Sequence, residues 1–148
     1  GSWTSSSFRD YSVAKGMSVD LDGSISGSYS SQDMFKSRRM DEALDPCAAM
    51  RECRDSAEHP ETIPVILALD VTGSMGPTAV EVAKKLNIVM TKLYSQIKDV
   101  QFMVMGIGDF AYDRHPLQVS QFESDIRIAE QLDKIYFEYG VGGLVFCK

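Results

Sequence analysis

The chain predicts an α/β fold: an open, mainly parallel sheet with flanking helices and one short antiparallel edge strand. Three observations carry that expectation. Two continuous apolar runs of strand length, "PVILALD" (64–70) and "VQFMVMGIGD" (100–109), stand on either side of a stretch with apolar residues at helical spacing. A run bounded by Pro before and Gly after suits a strand buried on both faces. Strand, helix and strand in that order make parallel neighbours joined by a crossover.

The elements follow in order. Residues 1–31 are rich in Ser and Gly, with "SISGSYSS" the clearest stretch, and are expected to form a flexible, loosely packed segment. Trp3, Phe8, Tyr11, Val13, Met17, Val19 and Leu21 are interspersed in it, enough to line a neighbouring surface as a short edge strand. Residues 32–62 supply a helix and a lead-in. "SQDMFKSRRMDEALDP" (31–46) reads as one short helix with Ser31 as N-cap, Asp33 in the first turn and Pro46 closing it.

The core domain is expected over 63–148. After the first strand, Pro77 stands at a favourable first helical position. From there Ala79, Val82, Ala83, Leu86, Val89, Met90, Leu93 and Ile97 recur at helical spacing through about residue 98. The second strand ends in Gly-Ile-Gly-Asp. Residues 110–123 read as a loop and a short edge strand, and 123–138 as a second amphipathic helix with Ile126, Ala129, Leu132, Ile135 and Tyr136 on one face.

Composition excludes several function classes. A net charge of -6 and a pI near 4.8 argue against general affinity for nucleic acid or anionic membranes. No stretch approaches the roughly 18 apolar residues of a membrane span. The first residues, "GSWTSSSFRD", lack the basic and apolar regions of a secretory signal. Cys47, Cys53 and Cys147 are an odd number at irregular spacing, which points to a reducing, cytoplasmic setting rather than a disulfide framework. Cys47, Cys53 and His59 also lack the tight pairing of zinc ligands, and "FKSRR" (35–39) reads as a solvated basic patch.

The chemistry concentrates in "DVTGSMG" (70–76), directly after the first strand. In such sheets ligands sit beyond the carboxyl ends of the strands, where both Asp70 and Asp109 fall. Three chemistries can use the turn. A Mg²⁺ or Mn²⁺ ion accepts hard oxygens: Asp70 supplies charge, Thr72 and Ser74 supply hydroxyls, and Gly73 lets the backbone bend between them. The following helix presents its positive end to this region, so a second carboxylate is needed. Asp109 is the natural helper, ahead of Asp113, which reads first as a turn-stabilising residue. The second chemistry makes Asp70 a phosphoryl acceptor, as in the Asp-Lys-Thr-Gly-Thr turn of P-type cation pumps, which "DVTGS" resembles. The third makes Ser74 a nucleophile, but Thr72 stands where the elbow motif needs Gly, and neither His59 nor His115 has a triad context. The plain structural alternative is that Thr72 and Ser74 cap the next helix.

"VILALDVTGSM", the amphipathic helix after it and the second buried strand together resemble the von Willebrand factor A domain and its metal-ion-dependent adhesion site. That family's first metal loop, Asp-x-Ser/Thr-x-Ser, maps onto Asp70, Thr72 and Ser74. "RDSAEHPETIPVILALDVTGSM" and "GIGDFAYDRHPLQVSQFESDIRIAEQL" are similar to a bacterial and phage-associated group of such domains with no assigned function. The likeness runs from about residue 51 to 143, more weakly from Ser31. It implies a Rossmann-like sheet and a non-catalytic, metal-assisted protein interaction, in which a partner's Asp or Glu carboxylate completes the coordination of Mg²⁺ or Mn²⁺. A complete domain of this kind also supplies ligands from a Gly-rich loop carrying Thr or Asn, and from a later Asp. Here "GVGG" is followed by Leu144. The chain is therefore expected to be a C-terminally incomplete domain, either with weakened metal binding or as a fragment that retains none. Its open sheet edge offers a route to self-association.

Overall fold

A computed structural model of the chain describes residues 2–47 and 50–138. The two apolar runs form β1 (Ile63–Asp70) and β2 (Val100–Ile107), paired in parallel with Ile63 opposite Val100 and Asp70 opposite Ile107. A short β3 (Leu117–Val119) adds antiparallel to β2, giving an open mixed sheet of three strands in the order β1-β2-β3. The α/β class and the antiparallel edge strand match the sequence expectation.

Burial of β1 does not. Along it, Val65, Leu67 and Leu69 turn inward, whereas Pro64, Ile66, Ala68 and Asp70 are exposed. On β2, Val100, Phe102 and Val104 are buried in the helix-facing core, and on the other face Met103 is buried while Gln101 and Met105 are half-buried. Side chains alternate across a strand, and along β1 no described element covers the face that Ile66 occupies, so its apolar residues there stay outside. Ile66 is 53% exposed for this reason, and Ile107, at the end of β2, is 38% exposed. The apolar run marks a strand correctly but says nothing about whether a second layer covers it.

The crossover from β1 to β2 is two helices, α3 (Gly76–Lys84) and α4 (Leu86–Gln96), not one. Apolar periodicity continues through the break, so the sequence pattern alone does not register it. The physical cause lies elsewhere in the chain. The carbonyl of Lys84 accepts the Ile25 amide at 2.9 Å, and the amide of Lys85 is shared between Glu81 and Val82. The helix turns where an outside donor takes one of its carbonyls.

That donor belongs to the Ser/Gly-rich segment, which is packed rather than loose. α1 (Ser5–Ala14) is capped by Thr4, whose hydroxyl oxygen accepts from the Ser7 amide, and it lies against α4. Trp3, Phe8, Met17 and Ile25 are buried in the same core as the sheet. The Trp3 indole donates to Asn87 Oδ1 at 2.9 Å, and Asn87 Nδ2 donates to the Gly23 carbonyl at 3.1 Å. Gly23 has φ +92°, and a Cβ on it would sit 2.7 Å from that amide nitrogen. Serine and glycine make tight turns here between a few large anchors. An edge strand in this segment is reduced to one antiparallel bridge, Val19 to Ile25.

Two further boundaries move. The helix expected over 31–46 is one turn, α2 (Ser31–Met34), with Ser30 rather than Ser31 as its N-cap, followed by a 3₁₀ turn at Glu42–Leu44. Phe35 leaves helical conformation and is buried against Phe137, ring centroids 4.9 Å apart. Burying that ring ends the helix early. The helix expected over 123–138 is α5 (Arg127–Asp133). Glu123 is held by Phe102 of β2 through a pair of 2.8 Å backbone bonds, and the Gln118 side chain takes both the amide and the carbonyl of Tyr136. No helix among the described residues is long and apolar enough to cross a membrane. Cys147 and the "GVGG" stretch lie outside the described residues.

Candidate functional site

β1 delivers Asp70 to the carboxyl end of the sheet, and the backbone pairing continues one residue further, where the Val71 amide donates to the Ile107 carbonyl at 2.9 Å. Val71 is buried and anchors the start of the loop. Thr72 is half-buried, and Gly73–Met75 make a 3₁₀ turn that runs directly into α3. The loop is therefore short and held at both ends, while Asp70 and Ser74 stay exposed.

Within it, Asp70 Oδ1 accepts from the Thr72 amide at 2.9 Å and from the Thr72 hydroxyl at 2.6 Å. The hydroxyl first, and the amide second, hold the Asp70 carboxyl below the usual aspartate range. Asp70 is thus a stable anion near neutral pH. Neither Thr72 nor Ser74 caps α3, whose N-cap position is Met75 with no side-chain bond. Nor does Thr72 give the 3₁₀ turn a side-chain cap. The capping alternative fails, and the two hydroxyls are left without a helix-terminating role.

Asp109 stands two residues beyond the end of β2. Its Oδ1 accepts from the Ala111 amide at 2.8 Å, and its own amide donates to Asp113 Oδ2 at 2.7 Å. Asp113 therefore braces the loop, crossing over Gly108, where a Cβ would meet its oxygen at 2.3 Å. The fold brings Asp70, Thr72 and Ser74 into one turn. It sets Asp109 at the neighbouring strand end, and no hydrogen bond joins its carboxylate to the Asp70 loop among the described residues.

The donor set discriminates among metals. Hydroxyl and carboxylate oxygens suit a hard cation that retains several waters. The Thr72 proton is spent on Asp70, so the lone pairs of that oxygen stay available to a cation. Among the described residues no three His, Cys, Asp or Glu side chains gather in a group able to hold a metal, so Asp70, Asp109 and Asp113 do not form one. These are hard oxygen donors, unlike the thiolate and imidazole set of a closed zinc site. Comparison of the chain with protein families, with curated proteins and with solved structures returns no match.

Two neighbouring features, an aromatic pair and a serine, escape sequence reading. Phe110 and Tyr112, beside Asp109, are 70% and 55% exposed and put apolar surface next to the strand ends. Ser31, remote in sequence, lies against Gly76 at the start of α3. The adjacent Gly-Pro at 76–77 was the available signal for the second, since a glycine in a helical first turn asks what occupies its missing side chain.

Proposed function

We propose that this chain is a von Willebrand factor A-type interaction domain. In this reading Asp70, Thr72 and Ser74 hold Mg²⁺ or Mn²⁺ at the carboxyl end of the sheet, with Asp109 offsetting charge from the next strand. The bound cation supplies an open coordination position for a carboxylate. Asp70 contributes the fixed negative charge, and Thr72 orients it through two hydrogen bonds. Ser74 contributes an exposed hydroxyl. The partner is a protein presenting an Asp or Glu side chain, and Phe110 and Tyr112 offer it apolar contact. Such a domain binds rather than catalyses, and works in a reducing compartment.

The observation that carries this reading is that both loop hydroxyls are left out of helix capping while Thr72 donates its amide and hydroxyl to Asp70. Calorimetric titration of Mn²⁺ and Mg²⁺ into the wild-type chain and into Asp70→Asn tests it. Binding by the first and not the second is expected. Absence of binding by the wild type overturns the reading. Phosphoester turnover lost in Asp70→Asn replaces it with the phosphoryl-acceptor chemistry. The outer edge of β1, which pairs with no described strand, additionally favours self-association.

A further inference from the structure

Gly76 opens α3 with φ −51° and ψ −50°, a conformation that any residue adopts. Its backbone therefore does not require glycine. Its surroundings do. A Cβ on Gly76 would lie 2.7 Å from Ser31 Oγ and 2.9 Å from Ser31 Cβ, and both distances are below real contact. Rotating the Ser31 side chain moves the oxygen and leaves the carbon in place, so only a shift of backbone relieves the clash.

The backbone of Ser31 is not free to shift cheaply. Ser31 is the first residue of α2, capped by the Ser30 hydroxyl, which accepts from the Asp33 amide at 3.1 Å. Met34 and Phe35 follow at 4% and 3% exposure, and the Phe35 ring packs at a tilt against Phe137. α2 packs along α3. A residue from the N-terminal third thus wedges against the helix that begins one residue after the Gly73–Met75 turn.

We propose that Ser31 is a positioning residue for the Asp70–Ser74 loop: its seating on Gly76 fixes where α3 starts, and so how Thr72 and Ser74 are presented to a cation. This rests on the metal-loop reading above. The loop then has two separate restraints, Thr72 on Asp70 from within and Ser31 on Gly76 from outside. Metal binding becomes coupled to the docking of residues 30–35.

The test is a size swap in the full chain, read with Mn²⁺ by calorimetry and electron paramagnetic resonance, alongside the melting temperature of the metal-free protein. Gly76→Ala is expected to weaken Mn²⁺ binding about tenfold or more, and Ser31→Gly with Gly76→Ala to return it to within about threefold of wild type. Ser31→Thr adds one methyl to the same contact and weakens binding about threefold, which reads the coupling even if Gly76→Ala does not fold. Asp99→Asn, at the opposite end of the sheet, lowers the melting temperature and leaves Mn²⁺ affinity unchanged. Wild-type affinity in Gly76→Ala, no recovery in the double variant, or an equal loss in Asp99→Asn overturns the assignment. If the wild type binds no Mn²⁺, the metal-loop reading fails and takes this assignment with it. If the wild type binds and the swap has no effect, only this assignment fails.

Discussion

The Asp70 carboxylate accepts both the amide and the hydroxyl of Thr72, so one residue of the loop lowers the pKa of another. Thr72→Val keeps the shape and the amide bond but removes the hydroxyl, which is the larger cause of the lowered pKa. The Asp70 carboxyl resonance in a pH titration by NMR is then expected to move up toward the ordinary aspartate value of about 3.9. The sign for stability follows. A depressed folded-state pKa adds stability above the ordinary aspartate range, lost as pH falls through the folded value. Thr72→Val flattens that acid limb slightly, because Asp70 is exposed. Mn²⁺ affinity in the same variant is expected to fall about tenfold.

Asn87 holds the N-terminal segment through one amide. It accepts from the Trp3 indole and donates to the Gly23 carbonyl, and it is 3% exposed. Asn87→Ala leaves a buried indole N–H and a carbonyl without partners, at a cost of about 2–4 kcal/mol. Trp3 is the only tryptophan, so urea unfolding followed by its fluorescence reports the loss directly. Unchanged stability would show that water replaces the amide.

At the amino end of the sheet, Asp99 Oδ1 pairs with His59 Nδ1 at 2.6 Å, and Oδ2 accepts from the Glu61 amide at 2.9 Å. Both side chains are about 15% exposed, at 14% and 15%. This carboxylate straps the lead-in onto the strand before β1 begins. Asp99→Asn is expected to cost about 1–3 kcal/mol. Limited proteolysis should then open first between residues 52 and 62.

Burial pushes the Tyr94 hydroxyl up to about 12, and it donates to the Ser124 carbonyl. An unfolded tyrosine ionises near 10, so the unfolded chain gives up its proton first. The stability from Tyr94 is fully present below about pH 10 and is lost as pH rises toward the folded value. Tyr11, raised by burial and by its bond to Asp133, acts in the same direction. Tyr94→Phe is expected to flatten the alkaline limb of a stability-versus-pH curve, measured by denaturant unfolding from pH 9 to 11 (about one unit either side of the free value).

Self-association through the outer edge of β1, which pairs with no described strand, is open to a direct test. Ile66→Lys places a charge on the exposed face beside an edge that pairs with no described strand, a known way to block strand addition. Light scattering across a concentration series is expected to show less association for the variant than for the wild type. Identical behaviour would remove the edge as its cause.

What the residues declared in advance was local, and what they hid was tertiary. The strands at 63–70 and 100–107 were legible because an apolar run of that length between Pro and Gly has few other uses. The helix break at Lys85 was not, because its cause is the amide of Ile25, about sixty residues earlier. Composition conceals the packing of the N-terminal segment: serine and glycine are plentiful, but Trp3, Phe8, Met17 and Ile25 do the burying. At the site, the Asp70, Thr72 and Ser74 pattern was readable from its place after a strand. That Thr72 bonds to Asp70 rather than to the helix depends on backbone angles that no spacing rule encodes.

The bond from Trp3 to Asn87 spans 84 positions, and that separation orders events during synthesis. The indole leaves the ribosome before its acceptor has been translated, and at about 5–20 residues per second the wait lasts several seconds. Through that interval Trp3, Phe8 and Met17 have no α4 to cover them. Residues around Trp3 are thus seated only once α4 has been made, and the nascent chain is most open to misassembly before α4 emerges.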